Sequence, residues 1–314
     1  MSLTNLADHP RSTESMVRVP GGTTLMGSDS HYPEEAPALV VTVGGFWMDP
    51  HPVTNAQFNS FVTETGYRTV AETPPKASAY PDALPELLYA GSIIFVQPEK
   101  PVNLSDWGEW WNFMRGADWR HPHGPDSSTA DLDHHPVVHI AYQDAVAFAA
   151  WAKKELPTET EWEFACRGGL EGAEYAWGNE LMPDGRVMAN YWQGEFPVSS
   201  LASGYGRTSP VMSFPANGYG LFDLIGNVWE WTSDRYGARN EAAQPKHCCK
   251  PRDEPERDSF DPARPGTSVG RKVLKGGSHL CAENYCIRFR PAARLAQPVD
   301  TSTSHVGFRC IVRG

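Results

Sequence analysis

The chain has 314 residues and a formal net charge of −11, a balance that argues against a general nucleic-acid or anionic-membrane binder because phosphate surfaces repel it. Eleven tryptophans among 28 glycines and 27 prolines describe a compact, loop-rich protein in which aromatic anchors stand in for long regular elements. Met1–Pro10 has neither the charged start nor the apolar core of a secretory signal, and no stretch approaches the roughly 18 apolar residues of a membrane span; a cytoplasmic location is expected.

In chain order, short strands are predicted at Val17–Val19 and Val40–Val43. Thr54-Asn55-Ala56-Gln57 reads as a capping box that opens a helix to about Thr65, with Phe58, Phe61 and Val62 on one face and Gly66 as its stop. Residues 69–135 are long, proline-rich and irregular, a composition that marks functional surface loops or order imposed by ions. A strand is predicted at Val137–Ile140. A second helix follows from about Tyr142 to Lys154, where Val146, Ala149 and Ala150 form an apolar stripe and Pro157 bars continuation. Thr158 and Glu161 make another capping box, for a helix ending before Gly168-Gly169. Residues 236–270 are irregular like the first long segment, and a last strand is predicted at Phe308–Val312. No linker, charge block or repeat divides the chain, so one α+β domain over 16–314 is expected after a flexible segment 1–15.

The most informative feature lies near the end. Cys281 and Cys286 follow a Gly276-Gly277-Ser278 turn and precede Arg288, Arg290 and Arg294, then Gly307-Phe308-Arg309-Cys310. A thiol ionises at about 8.5, so a working thiolate needs a metal or nearby cations, which these arginines would supply. Soft thiolate pairs favour Cu(I), Zn(II) or iron–sulfur centres. From spacing alone a disulfide, a metal pair and free thiols all remain open. The short loop of a disulfide would contribute little chain entropy. Zinc would need Cys248-Cys249 to complete four thiolates, yet those two lack the usual two-residue gap. His135-Pro136-Val137-Val138-His139 has the spacing of a helical metal pair, but Pro136 and the β-branched residues make it a strand whose histidines are read as packing. Trp107, Trp110, Trp111, Trp119 and Trp192 are read as core or loop anchors.

Read as it stands, the segment from Gly276 to Arg294 resembles the active-site segment of the formylglycine-generating enzymes, also called sulfatase-modifying factors. The resemblance extends through Val17–Gly22, Met26-Gly27, Pro52–Asn55, His135–His139, Leu156–Glu159, Asn190–Gly194, Asn217–Leu221 and Gly226–Trp231, covering most of residues 16 to 312. It implies that family's fold, a distant relative of the C-type lectin-like fold with little regular secondary structure. The glycine and tryptophan motifs are shared with a wider superfamily, whereas the cysteine pair in its Gly-Gly-Ser context is more specific to the oxidase.

The resemblance implies that a cysteine in a Cys-x-Pro-x-Arg motif of an unfolded sulfatase is converted to Cα-formylglycine with O2 and a thiol reductant, by a protein expected to be a monomer. Cys281 and Cys286 would hold Cu(I). Ser278 would stand beside the oxygen site, Trp229 would shape the pocket, and Arg294, Gln297 and His305 match neighbouring active-site positions, the last two usually being Asn. Asp223, Gly226, Val228 and Glu230 match a structural calcium site, with carboxylates and carbonyls around a hard cation. A second calcium site would use Asn190, Tyr191 and Tyr205, but its expected acidic ligand is Ser203. Cys166 and Cys310 fall where some members carry a disulfide, a pairing that a reducing cytosol disfavours. The alternatives are a lectin-like binding module without activity, which has no need of the cysteine pair, and an iron-dependent sulfoxide synthase, whose histidine and carboxylate ligands the chain lacks.

Overall fold

The computed structural model describes residues 13–77, 80, 83–200, 205–239, 256–263 and 268–314. Most of the expected flexible start and the pair Cys248-Cys249 lie outside the described residues. The order is β1 (Val17–Val19), β2 (Gly22–Met26), β3 (Leu39–Val43), β4 (Phe46–Met48), α1 (Asn55–Thr65), β5 (Gly91–Phe95), β6 (Trp111–Arg115), α2 (Tyr142–Trp151) and α3 (Glu159–Arg167). Five strands follow: β7 (Trp229–Arg235), β8 (Arg271–Lys275), β9 (Arg294–Pro298), β10 (Val306–Gly307) and β11 (Ile311–Arg313). β4 lies between β1 and β11, so Met48 faces both Val17 and Ile311 and the two ends of the chain close one sheet. A four-stranded sheet runs β10-β7-β8-β9, and β2-β3 and β5-β6 are separate hairpins. No helix among the described residues is long and apolar enough to cross a membrane.

Both predicted capping boxes form. Thr54 Oγ1 accepts from the Gln57 N–H at 3.3 Å and Gln57 returns the bond at 2.9 Å; Thr158 and Glu161 do the same at 3.1 and 2.7 Å. Gly66 and Gly168 end these helices in the left-handed conformation, as C-terminal glycines do. Phe58 of α1 then stacks on Phe148 of α2 at 5.9 Å and meets Trp119 edge-on at 5.2 Å, an aromatic core that the irregular segment helps to build.

Three local expectations need correction. Val137–Ile140 is extended but forms no ladder: His139 has φ 61°, which turns its neighbours away, so only the Val137 and His139 N–H groups bond, to Val53 and Thr303 carbonyls. α2 stops at Trp151 because Lys153 takes φ 55°, and its buried face is Ala145, Phe148 and Ala149, with Val146 and Ala150 turned outward. The last strand covers Ile311–Arg313; Phe308 and Cys310 instead offer their carbonyls to Val53 and Asp49. The segment 69–135 also contains the β5-β6 hairpin, whose sequence lacks a short turn signal because its connection is 15 residues long, 96–110.

A buried charged layer joins α3 to the four-stranded sheet. Glu230, Lys275 and Arg294 stand in one row across β7, β8 and β9 and so share a face. Opposite them, α3 presents Glu159, Trp162 and Glu163. Lys275 Nζ donates to Glu163 at 2.9 Å, Arg294 Nη2 to Glu159 at 3.0 Å, and the Trp162 indole N–H to Glu230 at 2.8 Å. Burial opposes the Glu159 carboxylate, but Arg294, Arg239 and Lys275 more than offset it and hold its pKa below the ordinary range. Removing one member of a buried ionic network strands the others, so Lys275→Met should cost about 3 kcal/mol. For a chain of 314 residues that lowers the melting temperature by roughly 4–5 °C, measurable by calorimetry; a change within about 1 °C would contradict the role given to the layer.

Candidate active site

The loop carrying the cysteines is shaped by its two glycines. Gly276 and Gly277 have φ of 94° and 74°, a region that side chains resist. A Cβ at Gly276 would sit 2.6 Å from the Leu224 carbonyl, and one at Gly277 would sit 2.8 Å from the Arg288 carbonyl. The second contact folds the loop back on its own far end. Between these points the Cys281 N–H bonds the Ser278 carbonyl at 3.0 Å, the Cys286 N–H bonds Ala282 at 2.8 Å, and Cys281 offers its carbonyl to the Trp192 N–H at 2.9 Å.

This geometry brings Cys281 Sγ and Cys286 Sγ to 3.7 Å, well beyond the roughly 2.05 Å of a disulfide, and both are free. Cys281 is packed in the main core with Trp229, Leu274 and Phe289, while Cys286 is at its edge. The contact between the two sulfurs, with burial, raises the Cys281 thiol, while the same contact lowers Cys286 below its usual range; Arg288, with Nη1 at 3.6 Å from Cys286 Sγ, lowers it further. Of the three arginines expected to support the thiolate, only Arg288 does so. Arg290 forks onto Glu35 at 2.9 and 2.5 Å.

Arg294 is placed away from the sulfurs. It lies in the charged layer against α3, bonding Glu159 and the Gly237 carbonyl, and strand alternation turns it from the face on which Trp229 lies. Gln297 lies on β9, at the opposite edge of the sheet from β10, and donates to the Thr301 carbonyl at 3.4 Å. Trp229 and His305 are joined instead: the Trp229 N–H bonds the His305 carbonyl at 2.9 Å. The His305 ring lies 4.7 Å from that of Trp111 and its Nδ1 is 2.7 Å from Thr303 Oγ1; burial drives its pKa down to about 3, so it is a neutral ring. Ser278 is fully buried, its Oγ accepting from the Leu280 N–H at 3.2 Å.

Sequence reasoning missed the walls. Phe196 stacks on Tyr285 at 4.6 Å, and Trp110 meets Tyr285 edge-on at 5.5 Å, giving an aromatic shelf beside Cys286 of which Tyr285 remains 39% exposed. His279, 5% exposed, donates from Nδ1 to the Asn227 carbonyl at 2.8 Å and anchors the loop. The one signal for Tyr285 and His279 was their place inside the cysteine segment; Phe196 and Trp110 come from distant segments and carried none.

The carboxylates of the expected calcium set are buried, and the two differ. Glu230 accepts three hydrogen bonds, two from Arg309 at 2.8 Å each and one from Trp162, so about one lone pair remains for a cation, beside a guanidinium. Asp223 accepts from the Met212 N–H at 2.7 Å; burial raises its pKa to about 6, partly offset by that bond and by Arg309. In the second set, Asn190 turns its amide N–H to the Arg207 carbonyl at 2.8 Å, Tyr191 stacks on Phe289 at 4.6 Å, and Tyr205 is an exposed residue near Phe214. Ser203 lies outside the described residues. Cys166 and Cys310 are buried free thiols. His135 bonds Thr208 and His139 bonds Ser92 and the Pro122 carbonyl, so the two share no partner.

With Cys286 the lower of the two thiols, it should be the first alkylated by iodoacetamide in the metal-free protein. Peptide mapping across pH should place its half-maximal rate below the 8.5 of a free thiol and show that Arg288→Gln moves it upward. Equal labelling of Cys281 and Cys286 throughout would contradict the opposite shifts of the two thiols.

Comparisons with known proteins agree with this architecture. The sulfatase-modifying factor enzyme 1-like domain model matches residues 3–313. The chain is 51% identical over 298 residues to the formylglycine-generating enzyme of Mycobacterium tuberculosis, covering 94% of this chain and 97% of that one. It is 42% identical over 307 residues to the formylglycine-generating enzyme of Mus musculus, covering 96% and 76%. Among solved structures, PvdO from Pseudomonas aeruginosa superposes with a TM-score of 0.63 at 19% identity, covering 95% of this chain and 94% of that one, which shows the shared fold. The chain therefore belongs to the sulfatase-modifying factor family of formylglycine-generating enzyme domains.

Proposed function

We propose that this protein converts a cysteine of a sulfatase polypeptide, within a Cys-x-Pro-x-Arg motif, to Cα-formylglycine with O2 as oxidant. The observation that carries the reading is the reduced thiol pair 3.7 Å apart beside a half-exposed aromatic shelf. The donor set fits a soft monovalent ion. Two thiolate bonds of roughly 2.3 Å, the zinc value, span up to about 4.6 Å, so one ion reaches both sulfurs without loop movement, and soft thiolates favour a soft ion over a hard, oxygen-loving one. Copper held there would supply the one-electron and O2 chemistry that side chains lack.

The chain's own residues do the rest. Cys281 and Cys286 present two sulfurs and leave the Cys286 side open toward Tyr285. The exposed edge of Tyr285, backed by Phe196 and Trp110, forms an apolar shelf on which an extended peptide can lie. Burial of Ser278 and Trp229, with the partly buried, neutral His305 bonded to Trp229, keeps water and stray protons from the reacting Cβ. Reduction of O2 to water takes four electrons; conversion of the thiol carbon to an aldehyde provides two, so a thiol reductant must provide two more. An unfolded client is favoured because a folded one cannot lay consecutive backbone groups along the shelf. A monomer in the cytoplasm is the setting we favour.

A Cys-x-Pro-x-Arg peptide incubated with the protein, Cu(I), O2 and dithiothreitol should show by mass spectrometry the loss that converts a thiol carbon to an aldehyde. Cys281→Ala and Cys286→Ala should each abolish it, and a folded sulfatase should be inert; wild-type conversion in both variants would overturn the proposal. We further propose that calcium is held by Asp223 and Glu230 with the Gly226 and Val228 carbonyls. An ion that binds only the native state raises its melting temperature by mass action, so wild type should melt higher in calcium than in a chelator and Asp223→Ala should lose the difference. Equal melting of wild type in both buffers would remove the site.

A further inference from the structure

We propose that Tyr32 and Glu34, from the segment between β2 and β3, form a strap that positions the Arg288 guanidinium against Cys286, and that this held charge strengthens binding of a monovalent cation by the thiol pair. The inference rests on the copper reading above. Arg288 has a long, rotamer-rich side chain that would not by itself stay in one place. Three contacts fix it: Nη2 donates to Glu34 Oε1 at 2.8 Å, the guanidinium lies 3.9 Å from the Tyr32 ring centre, and Nη1 reaches Cys286 Sγ at 3.6 Å. Tyr32 Oη also accepts the Ile287 N–H at 3.2 Å, so one residue braces both the side chain and the backbone next to Cys286.

The strap is itself clamped. Glu35 is fully buried and holds Arg290 through both oxygens, its carbonyl accepts from Arg239 Nη1 at 2.8 Å, and the Glu34 carbonyl accepts from Arg294 at 3.3 Å. Arg290 and Arg294 are thus committed to the strap and to α3, and Arg288 alone is turned to the sulfurs. Two thiolates and one monovalent cation carry one net negative charge in a largely dry site, and Arg288 offsets it. The Glu34 side chain is 23% exposed, so solvent screens part of its own charge, and its direct contact is with the guanidinium. Its effect on the pair is therefore exerted through Arg288, which makes it a positioning residue.

The test is Cu(I) affinity, measured anaerobically on the full chain by competition with a chromophoric Cu(I) chelator, with melting curves and peptide conversion recorded in parallel. Outer partners of metal ligands typically change affinity by about 10–100-fold, so Arg288→Gln should weaken binding by roughly tenfold or more, with Arg288→Lys weakened less because it keeps the charge. Glu34→Gln and Tyr32→Leu should weaken binding too. In the Arg288→Gln background Glu34→Gln should cause no further loss. Unchanged affinity in Arg288→Gln overturns the proposal, as does an equal loss from Glu34→Gln with and without Arg288. Wild type that binds Cu(I) but converts no peptide refutes the proposed activity and leaves the strap standing; wild type that binds no Cu(I) overturns both the copper reading and the strap.

Discussion

The active-site loop depends on the absence of two side chains. Gly276 and Gly277 pass through a gap bounded by the Leu224 carbonyl and Trp162 on one side and by Arg288 and Phe289 on the other, with dihedrals that a substituted residue resists. That passage lets the Gly226 N–H bond the Gly276 carbonyl at 2.9 Å and lets the loop close on itself, so that residues five apart in sequence point their sulfurs at one spot. A Cβ at either position would meet backbone, which cannot swing aside as a flexible side chain can. The thiol spacing is therefore a property of the turn more than of the cysteines.

The four-stranded sheet separates two kinds of chemistry. On one face Glu230, Lys275 and Arg294 meet the acidic side chains of α3 and are mutually compensated. On the other, Trp229 and Trp231 head an apolar core that reaches Cys281. Alternation along a strand makes this division automatic, and it explains why arginines close in sequence have different work. Arg294 secures α3, Arg290 secures the strap through Glu35, and Arg288, at the lip of the loop, is left for the sulfurs. A protein with a dry thiol pair needs cations nearby, yet each buried cation must also be paired, and the arrangement meets both demands with one residue turned each way.

Much of this was legible in the sequence where the signal was local. Thr54 with Gln57 and Thr158 with Glu161 announce their helices because both halves of each capping box lie within one turn, and the Gly276-Gly277-Ser278 run with its two cysteines announces the site. What was not legible depends on contacts distant along the chain. Tyr32 and Glu34 reach Arg288 across 254 residues or so of chain, with no pattern that links them. Val137–Ile140 has strand-forming residues, but Thr303 and Val53 offer it single bonds where a ladder would need a partner strand. Arg294 stands in a segment that resembles the family's active site, and only the strand register of β8 and β9 shows that it faces α3. Fold and cysteine pair were thus readable, while the residues that tune the pair were not.

The proposed function requires the turn to hold two thiolates as a joint ligand for one monovalent copper. X-ray absorption at the copper edge of the protein loaded anaerobically with one equivalent of Cu(I) tests it most directly. The account predicts a first shell of two sulfur scatterers in wild type that falls to one in either Cys281→Ala or Cys286→Ala. A wild-type shell dominated by nitrogen or oxygen, or one that is unchanged in both variants, would contradict it.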